Sequence, residues 1–128
     1  PGTNYGWPVI TYGVNYDGTP ISDLTEADGM AQPDVFWVPS IAPSGLALYS
    51  GTAYRGWSGD LFAGAMNGPA GRHLVRIDLE GGEVIGKEIL LADHDTGFRD
   101  VMQGNDGLLY LATSDGDGTI YRLDPVTE

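Results

Sequence analysis

The chain has 128 residues, enough for one domain, and its 18 acidic against 6 basic residues give a formal charge of −12. That charge repels phosphate backbones and anionic headgroups, so nucleic acid is not an expected partner, and no apolar run approaches the roughly 18 residues that span a bilayer. Without cysteine, disulfides, thiolate catalysis and Cys-based zinc sites are excluded.

Twenty glycines and eight prolines, beside a hydrophobic fraction of 41%, describe an ordered but turn-rich chain. The start at Pro1 without a Met points to a processed, trimmed or excerpted chain.

From Pro1 to Ser44 no period of 3.6 or 2 is sustained, which predicts a long ordered loop with short strands. Trp7–Thr11 and Val35–Val38 are its candidate strands. Ile21–Met30 has the composition of one helical turn, which Gly29 and Pro33 would stop.

From Gly45 the pattern changes to short apolar or alternating runs divided by turn residues, which predicts an all-β fold. The runs Leu46–Ser50, Asp60–Met66, His73–Leu79 and, after Glu80-Gly81-Gly82, Glu83–Leu91 make four strands, the content of one propeller blade. A second set, Phe98–Gln103, Leu108–Thr113 and Thr119–Leu123, is divided by Asn105-Asp106-Gly107 and Asp115–Gly118, turns that supply the positive φ of tight hairpins. The expected organisation is one partial β-propeller domain: a loop region over 1–44, a four-stranded blade over 45–91 and an incomplete blade over 98–124. The last blade is one strand short, and exposed strand edges predict association with the rest of a propeller or with other copies of the chain.

Motifs in order then carry a resemblance. They are Asn4-Tyr5-Gly6-Trp7-Pro8, Tyr12-Gly13 with Asn15-Tyr16, Gln32-Pro33 before Phe36-Trp37, Ala42-Pro43-Ser44-Gly45, Gly59-Asp60-Leu61-Phe62, and Arg99-Asp100-Val101 leading to Gln103–Gly107. Together they resemble the C-terminal part of the glucose/sorbosone dehydrogenase family, soluble sugar dehydrogenases dependent on pyrroloquinoline quinone (PQQ) and built as six-bladed propellers. The resemblance implies roughly the last two blades of such an enzyme, in a periplasmic or secreted bacterial protein. It implies oxidation of an aldose hydroxyl, with hydride passing to PQQ. The catalytic His and most calcium ligands would precede Pro1, so this chain alone lacks the catalytic base.

Site residues follow from the same resemblance. The family typically shows Arg, an apolar residue, then Arg-Asp, where this chain has Gly97-Phe98-Arg99-Asp100, so Arg99 is the retained cofactor-binding cation. With Phe98 inward, Gly97 and Arg99 are expected on the opposite strand face; the structural alternative is an Arg99 paired with Asp100. Asn67 falls at a second cationic position of the family, or is an ordinary turn residue, and Arg72 is a substitute cation from the same loop. Trp37 resembles an aromatic lining the sugar and cofactor cleft, or packs within the loop layer, whereas Trp7 reads as structural.

His73 and His94 have no partner at metal-ligand spacing and read as surface or packing residues. Asp115–Gly118 reads as a hairpin, since the downstream acid of a calcium loop is absent, and Ser44 as structural. Against the enzyme reading stands a non-catalytic, propeller-derived binding or self-assembling module.

Overall fold

The structure is a computed structural model that describes residues 2–66 and 71–126. The chain divides into two compact units, 1–40 and 41–128.

Among its described residues the first unit holds no strand longer than a bridge between Val14 and Pro20. The candidate strand Trp7–Thr11 begins instead as a turn. Asn4 Oδ1 accepts from the Gly6 N–H at 2.8 Å, and the Gly6 carbonyl accepts from both Val9 at 2.7 Å and Ile10 at 3.1 Å. Backbone groups closed this locally are not available to a ladder. Gly6 sits at φ 82°, where a Cβ would fall 2.3 Å from Ile10 Cγ1, so the Asn-Tyr-Gly motif needs its glycine. Val35–Val38 is likewise not a strand, and Ile21–Met30 forms no helix, since its backbone enters turns such as that from Ala27 to Met30.

The second unit is two antiparallel sheets. The first has the order β1 (Pro43–Leu48), β2 (Leu61–Ala65), β3 (His73–Glu80), β4 (Glu83–Leu90). The second has β5 (Phe98–Gln103), β6 (Leu109–Thr113) and β7 (Ile120–Arg122). Each strand lies within a residue or three of the expected run, because period-2 alternation ends abruptly at the Gly-containing turns. Gly81 and Gly82 take positive φ between β3 and β4, as Gly107 does between β5 and β6. At Asp115–Gly118 the Gly118 N–H donates to the Asp115 carbonyl at 3.0 Å, closing a hairpin. A single 3-10 turn, Ala92–His94, leads from the first sheet to the second.

The core lies between the sheets: Tyr49, Tyr54, Phe62, Leu74, Phe98, Val101, Leu109 and Leu111 form one buried cluster. Two tyrosines from the β1–β2 connection cross to the second sheet. Tyr49 donates its hydroxyl to the Gly107 carbonyl at 3.0 Å. The Tyr54 hydroxyl donates to the Leu123 carbonyl at 2.7 Å and accepts from the buried Leu109 N–H at 2.8 Å. Burial raises the Tyr54 pKa, which keeps the phenol neutral and able to donate.

The Gly59-Asp60-Leu61-Phe62 motif has a structural explanation. Asp60, 2% exposed, accepts from Arg76 Nε at 2.6 Å through one oxygen and from the Leu79 N–H at 3.1 Å through the other. Arg76 also donates to Glu88 at 3.1 Å and to the Gly56 carbonyl at 3.2 Å, and its guanidinium lies 5.6 Å from the Trp57 ring. The buried Asp60 and the half-buried Arg76 are therefore paired and hydrogen-bonded, the condition under which burial of charge is tolerated.

Candidate functional site

β5 and the inner strands β1 and β2 pack against each other, with very little side chain between them. A Cβ on Gly45 would lie 2.1 Å from Asp100 Oδ1, one on Gly64 would lie 2.4 Å from the Phe98 carbonyl oxygen, and one on Gly97 would lie 2.2 Å from the Met66 carbonyl oxygen. Ser44 reaches across the same junction, its hydroxyl 2.6 Å from the Phe98 carbonyl and 3.1 Å from that of Gly64. Its expected structural role is thereby specified.

This junction decides where Arg99 points. In the β5–β6 ladder Phe98 pairs with Thr113 and Asp100 with Ala112, so Arg99 is the extra residue of a β-bulge. Phe98 and Val101 are buried while Arg99 and Asp100 both face outward. Simple alternation, which would put Gly97 and Arg99 together on the outer face, does not hold: Gly97 is buried against Met66 and Ser114, and the bulge resets the phase. The Arg99 side chain has no ion pair or hydrogen bond among the described residues. Nor does it pair with Asp100, whose Oδ1 accepts from the Val101 N–H at 2.9 Å.

Arg72, the candidate substitute cation, is turned toward Asp115 of the second sheet's hairpin, 3.7 Å away. Asn67 lies outside the described residues. His73 is a packing residue, 3% exposed, and burial lowers its pKa. His94 stays exposed, its ring 5.9 Å from that of Tyr121.

In the first unit Trp37 is half-buried in the wall of an open-mouthed cavity of about 260 Å³, with Tyr5, Trp7, Ile10, Tyr12 and Phe36 around it. Tyr12 and Phe36 stack with centroids 4.1 Å apart and planes 8° from parallel. Trp7, read from the sequence as structural, lines this cavity and is 73% exposed. Trp37 was singled out through the resemblance; the convergence of Tyr5, Trp7, Tyr12 and Phe36 on the same hollow has no signature in the sequence.

The description Glucose / Sorbosone dehydrogenase fits residues 1–122 of the chain. The chain belongs to the glucose/sorbosone dehydrogenase family. It is 33% identical over 126 residues to Aldose sugar dehydrogenase YliI of Escherichia coli, a match covering 97% of this chain and 33% of that protein. It is 37% identical over 124 residues to the uncharacterized protein slr1608 of Synechocystis sp., covering 96% of this chain and 29% of that one.

A crystal structure of glucose dehydrogenase superposes with a TM-score of 0.89 at 40% identity, over 98% of this chain and 36% of its own. The apo form of the soluble aldose sugar dehydrogenase of E. coli gives 0.86 at 32% identity, also over 98% and 36%. The chain thus spans about a third of the length of these relatives, and its all-β sheets are blades of the propeller that this glucose/sorbosone dehydrogenase family shares. The Met66 carbonyl beside Gly97 leaves no volume for a side chain at that position.

Proposed function

We propose that the complete protein is a soluble quinoprotein oxidoreductase that passes hydride from an aldose hydroxyl to PQQ, and that this chain supplies part of the cofactor cleft. The observation that carries the reading is Arg99, a guanidinium held outward on a bulge with no internal partner among the described residues. An acidic chain with 6 basic residues presents few groups suited to a planar polyanion, and an unengaged arginine is one of them. PQQ supplies a hydride acceptor and carboxylates. Arg99 donates paired N–H bonds to a carboxylate or quinone oxygen and stays charged at any working pH. Trp37 offers an aromatic face to a sugar or a flat ring, and Asn67 a neutral hydrogen-bond donor. The proton-accepting His and the calcium ligands belong to the part of the protein outside this chain, as does a strand to pair with the free edge of β7.

The glycine at 97 favours a second reading, a propeller-derived binding or self-assembling module, because one cation of the family's pair is gone. The family reading also carries a periplasmic or secreted location, which cell fractionation tests.

The deciding experiment titrates the complete protein with PQQ and calcium by absorbance, then adds an aldose and a dye acceptor. Stoichiometric uptake with sugar-dependent dye reduction is expected. Arg99→Ala should weaken uptake by about 10- to 100-fold, the equivalent of one charge-assisted contact, at unchanged folding stability. Absence of uptake by the unaltered protein would leave the non-catalytic module.

A further inference from the structure

Five Asp-Gly steps stand among the described residues, at Asp17, Asp28, Asp106, Asp115 and Asp117. A glycine has no Cβ to hinder its amide nitrogen, which can therefore reach the preceding carboxyl carbon and close a succinimide ring. By sequence this chemistry is open to all five; the structure separates them. Asp17 Oδ1 accepts from the Thr19 N–H at 3.0 Å and the Thr19 hydroxyl at 2.6 Å, and the Gly18 N–H is committed to the Asn15 carbonyl at 2.9 Å. Asp106 accepts from the Leu108 N–H at 3.1 Å and the Tyr110 hydroxyl at 2.7 Å, while the Gly107 N–H donates to the Gly104 carbonyl at 3.0 Å. These bonds, chiefly those from the Thr19 and Tyr110 hydroxyls, hold both carboxyls below the ordinary carboxylate range and so in the ionised form, from which water is hard to lose. Asp115 is paired with Arg72 at 3.7 Å, and the amide that Asp117 would need, that of Gly118, donates to the Asp115 carbonyl at 3.0 Å. Asp28 is the one whose carboxylate and following amide are both unengaged among the described residues. It is exposed in the Ala27–Met30 turn, which is closed by the Met30 N–H donating to the Ala27 carbonyl at 3.2 Å. Gly29 takes φ 76° at the third position, as in a type II turn, whose central N–H takes no part in the closure. No strand ladder clamps this turn, whereas β5, β6 and β7 flank the turns at Asp106 and at Asp115–Gly118.

We propose that Asp28 is a modification site, the preferred place in this chain for spontaneous isomerisation of aspartate to isoaspartate. The Gly29 nitrogen forms a bond to Asp28 Cγ while the carboxyl hydroxyl and the amide proton leave as water. Water then opens the ring at the former peptide carbonyl, and the chain runs on through Cγ. Nothing is oxidised or reduced, and water is the sole co-reactant. The product lengthens the backbone by one carbon just ahead of two anchors. Met30 Sδ lies so close to Gly6 that a Cβ there would be 2.7 Å from it, and the Ala31 N–H donates to the Asn4 carbonyl at 2.8 Å. Isomerisation therefore loosens the hold of this turn on the Asn4–Pro8 segment, whatever reaction the complete protein performs.

The test incubates the complete protein at neutral pH, folded and in urea, and locates isoaspartate residue by residue from the diagnostic backbone fragments of electron-transfer dissociation. In the folded protein Asp28 should isomerise at least about tenfold faster than Asp17 or Asp106, since each of those must first release a hydrogen bond to a charged group. In urea the five rates should converge. Asp28→Glu, whose ring would be one atom larger, should abolish the product at this position, and Asp28→Asn should raise it through loss of ammonia. Even accumulation over the five sites of the folded protein, a lead by Asp115 or Asp117, or an Asp28 that stays unmodified while the urea sample isomerises would each overturn the assignment.

Discussion

The hydroxyl of Ser44 lies 2.6 Å from the carbonyl of Phe98, joining β1 of one sheet to β5 of the next beside the bulge that carries Arg99. One hydroxyl proton serves two acceptors here, and the shorter contact is the one between sheets. Ser44→Ala should lower the unfolding free energy of the complete protein by about 1 kcal/mol, approaching 3 kcal/mol where the carbonyls stay dry. Urea denaturation reads this as a lower midpoint at constant slope; an unchanged midpoint would mean that water replaces the hydroxyl at no cost.

Asp60 is a stronger case, because its removal takes the shortest carboxylate contact from Arg76, whose side chain is only 15% exposed, and leaves it Glu88 at 3.1 Å and Asp78 at 3.6 Å. Asp60→Ala should cost about 1.5–3 kcal/mol, the loss of a hydrogen bond to a charged group together with the partner of the Leu79 N–H, and more than the milder Asp60→Asn. A pair of denaturation curves checks the order, and equal losses would show that the Leu79 N–H bond outweighs the ion pair.

Gly97 offers a test of a different kind. An arginine placed there should not strengthen the proposed cofactor binding, because the first carbon of any side chain meets the Met66 carbonyl at 2.2 Å and Ser114 Oγ at 2.4 Å. Gly97→Ala should cost roughly 1–3 kcal/mol, as overpacking does, and Gly97→Arg at least as much. A stable Gly97→Arg protein with tighter PQQ binding would refute this account of the junction.

His73 predicts a pH dependence. Burial depresses its folded pKa below the 6.5 of an exposed imidazole, so the unfolded chain takes up the proton first. Its contribution is complete above pH 6.5 and falls as the pH drops from there through the folded pKa. Thermal melts between pH 7.5 and 5.5 should show a smaller decline for His73→Leu than for the unaltered protein; parallel declines would assign the effect to other groups.

The strands of the second unit were legible because alternation and Gly turns are local properties, and the seven observed strands follow them closely. Trp7–Thr11 and Ile21–Met30 were misleading, since backbone bonds such as Val9 to Gly6 and Met30 to Ala27 close turns that no periodicity announces, and Val35–Val38 is not a strand either. Arg99 was identified from its motif, but its orientation was argued from strict alternation. The bulge follows from the pairing of β5 with β6 and the press of β1 and β2, a tertiary matter. Tyr49 and Tyr54 gave no sign of bridging the sheets, because a buried tyrosine declares its partner only after folding.

The glycines at 45, 64 and 97 have a consequence for inheritance. Since backbone meets backbone at this junction, the outward aim of Arg99 is fixed partly by the strand of the preceding blade, which itself carries an irregularity between Pro43 and Leu46. The blades are therefore not interchangeable cassettes. A recombinant that exchanged one of them without its neighbour would keep every motif residue and still misdirect the arginine, so this stretch of the family should be transmitted as a matched pair.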